Sequence, residues 1–113
     1  MNSKFVVCAI QQSFEIKKEA NLKNSIALIK TAAAQGAQLV VLPELHLGPY
    51  FCQSEDFNQF ALAESIPGPS TNILSNVAKE LGIVIVSSVF EKRTAGLYHN
   101  TAVVLDKDGS IAG

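Results

Sequence analysis

The stretch Ala37–Tyr50, AQLVVLPELHLGPY, decides the fold. Leu39-Val40-Val41-Leu42 is a continuous apolar run that ends on Pro43 and then a carboxylate, Glu44. Such a run reads as a strand buried on both faces, as in a parallel sheet with helices on each side. Proline has no N–H to give the ladder, so Pro43 marks where pairing stops. Glu44 is then the first residue past the carboxyl end of a buried strand, where open α/β sheets collect ligands and chemistry. A solvated loop glutamate or a turn cap would have the same spacing. Its neighbours favour chemistry, because Leu45, Leu47, Tyr50 and Phe51 follow closely around Gly48-Pro49. An apolar surround disfavours the charged form of a carboxyl group, which is how a general base is tuned.

Upstream of this stretch, Gly36 follows an expected helix over Glu19–Gln35, at a left-handed C′ position that favours glycine. Leu22, Ile26, Ile29 and Ala33 form its apolar stripe, with Lys23 and Lys30 facing water. Before it, Lys4–Gln11 (KFVVCAIQ) reads as strand one. Strand, helix, short turn and buried strand make a βαβ unit with parallel strands.

Downstream, Ser54–Ala63 is expected as a short helix, and Ile66-Pro67-Gly68-Pro69 as irregular chain. Ser70 or Thr71 is expected to cap a second helix over Thr71–Leu81. Gly82 ends it, and Ile83–Phe90 (IVIVSSVF) reads as strand three. Strands one to three are expected to be mostly buried. Arg93–Gly96 is a turn of hairpin length, so Tyr98–Leu105 (YHNTAVVL) should run antiparallel to strand three. After a turn at Asp106–Gly109, Ser110–Gly113 would open one more strand of a meander. The chain therefore reads as part of a larger domain.

The 113 residues are 48% hydrophobic and 17% charged, which is a core-forming composition. A net charge of −1 offers no basic excess for neutralising phosphates, so nucleic acid is not the expected partner. No apolar run approaches the ~20 residues that span a bilayer, so no membrane role is expected. Phe5–Ile10 is too short for a signal-peptide core of about 7–15 residues, so a cytoplasmic location follows by default. In that compartment a Cys8–Cys52 disulfide is disfavoured. Cys8 is expected to pack as a small hydrophobe inside strand one.

Other motifs weaken on inspection. Asp106-Lys107-Asp108-Gly109 resembles the middle of an EF-hand loop, but its first ligand position would be Val104. A hairpin turn explains it better. His46 and His99 have no partner at metal-ligand spacing, so no metal is assigned. Gln11-Gln12-Ser13 stand where a dinucleotide-binding strand end needs glycines. Cys52 is a nucleophile candidate near Glu44, or a structural cysteine lining a pocket.

With Pro43-Glu44-Leu45, Ile66-Pro67-Gly68-Pro69 and Tyr98-His99-Asn100-Thr101-Ala102-Val103-Val104 in this order, the chain resembles the N-terminal part of a nitrilase-family carbon–nitrogen hydrolase. Gly48-Pro49-Tyr50-Phe51-Cys52-Gln53 resembles the N-carbamoylputrescine amidase branch most. The resemblance implies an α/β fold, the N-terminal and incomplete part of a four-layer α-β-β-α sandwich, with residues 1–113 the N-terminal portion of one domain. It implies a homo-oligomer without metal or organic cofactor, and a Glu–Lys–Cys triad acting on a small amide or carbamoyl-amine. Glu44 matches the triad's general base, and Tyr50 and Phe51 fall where the family lines its substrate pocket. Lys107 comes too early for the triad lysine and Cys52 too early for its cysteine, so the chain alone is expected to be inactive. A stand-alone α/β module that binds a small ligand or a protein through the Glu44 loop is the competing expectation.

Overall fold

The computed structural model describes residues 5–12, 18–43, 63–94 and 97–113. The elements run β1 (Val7–Ala9), α1 (Lys18–Ala34), β2 (Leu39–Val41), α2 (Pro69–Leu81), β3 (Val84–Thr94) and β4 (Leu97–Leu105). The expected helix at Ser54–Ala63 lies, but for Ala63, outside the described residues.

The described strands form one sheet in the order β1-β2-β3-β4. β1 pairs parallel with β2 through Val7↔Leu39 and Ala9↔Val41, and β2 pairs parallel with β3 through Leu39↔Val84 and Val41↔Val86. β3 and β4 form the expected antiparallel hairpin, from Ile85↔Leu105 to Thr94↔Leu97. Both helices cover one face. Ile29 and Ala32 of α1 join Leu74, Val77 and Ala78 of α2 over Val40, Leu42, Ile85, Val89, Val103 and Leu105.

Strand alternation puts Val7, Ala9, Leu39, Val41, Val84, Val86 and Val104 on the opposite face, none of them fully buried. This corrects the reading of β2 as buried on both faces. Val40 is fully buried against the helices, while Leu39 and Val41 are half-buried. It also corrects β1, an edge strand on which Val7 is 54% exposed. Its Cys8 is a free, half-buried thiol packed against the core. Periodicity cannot separate a strand covered twice from one covered once when both faces are apolar. No helix among the described residues is long and apolar enough to cross a membrane.

The stripe on α1 is also shifted. Asn21 and Ser25 are fully buried, whereas Leu22 and Ile26 are half-buried. The polar face is compatible with burial because Gln12, after β1, bonds to it. Ser25 Oγ donates to Gln12 Oε1 at 3.0 Å and Gln12 Nε2 donates to the Asn21 carbonyl at 3.5 Å. Buried polar groups stabilise when their bonds are made. Gly36, at φ 96°, ends α1 as expected, and its N–H donates to the Ala33 carbonyl at 3.0 Å.

The start of α2 differs from expectation. The N-cap is Gly68 and Pro69 takes the first helical position, where its missing N–H costs nothing. Thr71 sits one turn in, its Oγ1 accepting from the Gly68 N–H at 2.7 Å. The side chain that caps the helix from outside is Glu64, which accepts from the Ser70 N–H at 2.7 Å.

The turn after β4 is the expected hairpin rather than a cation loop. The Gly109 N–H donates to the Asp106 carbonyl at 2.9 Å, and Ile111 pairs antiparallel with Leu105. Ser110 donates to Asp108 Oδ1 through its hydroxyl and its N–H. These bonds hold the Asp108 carboxyl below its ordinary pKa, the hydroxyl contributing most.

Candidate active site at the end of β2

Glu44, Tyr50, Phe51 and Cys52 lie outside the described residues, as does His46. The strand end that carries Glu44 is described. Leu42 is buried in the core and its N–H donates to the Val86 carbonyl at 2.9 Å, the last sheet bond before Pro43. β3 does not stop there but continues to Thr94.

The edge of β3 that β2 leaves is taken up again four residues on. Glu64 N–H donates to the Phe90 carbonyl at 2.9 Å, and Lys92 N–H donates to the Glu64 carbonyl at 2.7 Å. Glu64 thereby pairs parallel with Glu91. Leu42 and Glu64 thus both lie against the same edge of β3. Between these two anchors lie Ser87, Ser88 and Val89 of β3, all buried.

Both glutamates of the return anchor are only 8% exposed. Buried carboxylates are costly unless hydrogen-bonded, and both are. The Ser70 N–H and the Ser70 hydroxyl donate to Glu64, one to each carboxylate oxygen, at the positive end of the α2 dipole. Thr101 Oγ1 donates to Glu91 Oε1 at 2.7 Å, and Arg93 Nε donates to Glu91 Oε2 at 3.3 Å. Arg93 is mostly exposed, so that ion pair adds little. On the other sheet face Ser88 Oγ donates to Asn100 Oδ1 at 3.0 Å, joining β3 to β4.

Alternation in VIVSSVFE was the available signal for Glu91, since it places Glu91 on the same face as Ile85 and Val89. No sequence pattern announces Glu64, because its partner is a helix start that the reading had placed too late. His99 is exposed on β4, opposite Glu91. Among the described residues no three His, Cys, Asp or Glu side chains gather as a metal site requires.

Comparison with known proteins adds a relationship to this geometry. The carbon–nitrogen hydrolase family profile matches residues 6–113. The omega-amidase NIT2-B of Xenopus laevis is 38% identical over 109 residues, covering 96% of this chain and 38% of that protein. The N-carbamoylputrescine amidase of Solanum lycopersicum is 33% identical over 113 residues, covering 99% of this chain and 37% of that protein. A carbon-nitrogen hydrolase from Helicobacter pylori G27 superimposes with a TM-score of 0.90 at 37% identity, over 96% of this chain and 38% of the other. The chain thus spans less than two fifths of the length of these relatives.

Proposed function

Since the chain belongs to the carbon–nitrogen hydrolase family, with the nitrilase-superfamily fold, we infer that it forms the N-terminal portion of an amidase domain and supplies its general base. The observation that carries this reading is the position of Glu44 in the sequence. It follows directly on the end of β2, within a family match that runs through the whole β1–β4 sheet.

In the full-length enzyme a cysteine and a lysine from the remainder of the domain complete the triad. Glu44 accepts the thiol proton, and the thiolate attacks the carbonyl carbon of a linear amide or carbamoyl-amine. The lysine stabilises the oxyanion that forms. The carbon–nitrogen bond breaks as Glu44 returns the proton to the leaving nitrogen, so ammonia departs and an acyl-enzyme remains. Glu44 next takes a proton from water, whose hydroxide releases the acid and the thiolate. Tyr50 and Phe51 line the pocket for the carbon chain of the substrate. No metal or organic cofactor enters these steps. The enzyme acts in the cytoplasm as a homo-oligomer.

N-carbamoylputrescine is the substrate we favour, on the run Gly48–Gln53, which would place the enzyme in polyamine biosynthesis. The similarity to omega-amidases makes a simple ω-amide the substrate to test beside it. The test is ammonia release by the full-length enzyme. Glu44→Gln keeps the shape, removes the base, and is expected to lower turnover by about 10²–10⁴-fold. The 113-residue chain alone is expected to release none. Full activity in the Glu44→Gln enzyme, or release by the short chain that Cys52→Ser abolishes, would overturn the assignment.

A further inference from the structure

The turn after β4 carries chemistry that the hydrolase reading does not use. In the whole sequence Asp108 is the one aspartate or asparagine that glycine follows. A backbone amide can attack the side-chain carboxyl of the residue before it, and glycine, with no Cβ, hinders that attack least. We propose that Asp108–Gly109 is a modification site, a point of isoaspartate formation that the Ser110 hydroxyl holds shut.

The reaction needs nothing but water. The Gly109 nitrogen bonds to Asp108 Cγ, and its proton departs with the carboxyl OH as water, leaving a five-membered imide. Water then opens the imide at either carbonyl. Opening at the side-chain carbonyl restores aspartate. Opening at the main-chain carbonyl breaks the original peptide bond and leaves the chain running through Cβ and Cγ, with a free α-carboxylate. The water lost is regained, and nothing is oxidised or reduced.

The folded turn opposes the first step. The Gly109 N–H donates to the Asp106 carbonyl at 2.9 Å, so the proton that must leave is engaged. Asp108 Oδ1 accepts from Ser110 Oγ at 2.6 Å and from the Ser110 N–H at 2.9 Å, which draws the carboxylate toward residue 110. The same bonds favour its ionised form, whereas the acid form is the one that loses OH readily. Gly109, at φ 88°, lies against α2, where a Cβ would stand 3.2 Å from the Ser75 carbonyl oxygen and 3.3 Å from Lys79 Cβ. The helix thus braces the turn from behind.

Burial gives no protection, because Asp108 and Ser110 are both exposed. The hydrogen bonds are the guard, and the Ser110 hydroxyl is the part of it that one substitution removes. Isomerisation would insert an extra backbone atom into the ring that the Asp106 N–H closes on the Ser110 carbonyl at 2.8 Å. The pairing of Ile111 with Leu105 that follows is then weakened. The new α-carboxylate, in an exposed turn, is the group that an isoaspartyl methyltransferase esterifies.

The experiment incubates the full-length enzyme for days at neutral pH and physiological temperature. Isoaspartate is read by peptide mapping across residues 106–109 and by methyl transfer from S-adenosylmethionine, with an isoaspartyl methyltransferase as the probe. Folded wild type is expected to isomerise at Asp108 severalfold more slowly than the same protein unfolded in urea. Ser110→Ala should raise the folded rate severalfold, and Ser110→Thr, which keeps the hydroxyl, should stay near wild type. In urea the variants and wild type should react alike. Asp106, followed by Lys107, is the internal comparison. A folded Ser110→Ala rate equal to wild type overturns the proposal, as does a wild-type rate that unfolding leaves unchanged. A rise that Asp106 shares in equal measure reports general loosening and overturns it too.

Discussion

Gly68 offers a sharp steric test of the corner that leads into α2. Its φ of −156° and ψ of −171° are extended values open to any residue, so alanine meets no conformational penalty there. The obstacle is space. A Cβ at this position would lie 2.3 Å from the Ser65 carbonyl oxygen, 3.2 Å from its carbon and 3.3 Å from Ser65 Oγ. Carbon and oxygen in close contact stay at about 3.3 Å, so the carbonyl has to retreat by roughly 1 Å. It is backbone, one residue from the Glu64 anchor, and the Ser65 hydroxyl is engaged with the Pro67 carbonyl at 3.0 Å. Overpacking of this kind costs about 1–3 kcal/mol. With an m-value of about 1–3 kcal/mol per M, the urea midpoint of Gly68→Ala should fall by roughly 1 M. Gly82 is the control, at φ 65° with nothing within 4 Å of its would-be Cβ. There the penalty is the left-handed backbone alone, about 1 kcal/mol, and asparagine should recover part of it. At residue 68 asparagine should recover none. An unshifted midpoint for Gly68→Ala, or a rescue by asparagine at that position, would refute the steric account.

Leu74 is fully buried between α2 and the sheet, so Leu74→Ala should lower unfolding free energy by about 2–5 kcal/mol in the same urea titration. Asp108 should titrate below the ordinary carboxylate range by NMR, and Ser110→Ala should bring it back up. With the folded value depressed, its contribution to stability is present above the unfolded pKa and is lost as pH falls through the folded one. A Ser110→Ala chain with the same titration would remove that cause. The isolated chain should self-associate through its uncovered sheet face, where Val7, Val84 and Val86 lie beside exposed Phe5. A monodisperse monomer at high concentration in sedimentation velocity would contradict this.

Most elements were legible because their signals are local. α1, expected over 19–35, occupies Lys18–Ala34, and both helix-ending glycines, Gly36 and Gly82, adopt positive φ. The antiparallel β3–β4 pair followed from connection length alone. What escaped was set by partners distant in sequence. Asn21 and Ser25 look like solvent residues until Gln12 is brought against them. α2 begins earlier than a cap at Ser70 or Thr71 implies, because Pro69 takes the first helical position while Thr71 accepts from the Gly68 N–H and Glu64 from the Ser70 N–H. The pairing of Glu64 with Glu91 depends on the edge of β3 and could not be read from its neighbours in sequence.

The shared edge of β3 also bears on how this protein can change. The Val86 and Phe90 carbonyls, which receive the departing and the returning chain, are four residues apart, or about 13 Å along the strand. With both ends pinned so close together, the length of what runs between them hardly affects the sheet. Doubling a flexible loop adds only about 0.6 kcal/mol of closure entropy. Insertions and deletions after Glu44 and before Glu64 should thus be nearly neutral to the pairing of the sheet. Such a layout lets the intervening chain vary in length while the β1–β4 sheet keeps its register.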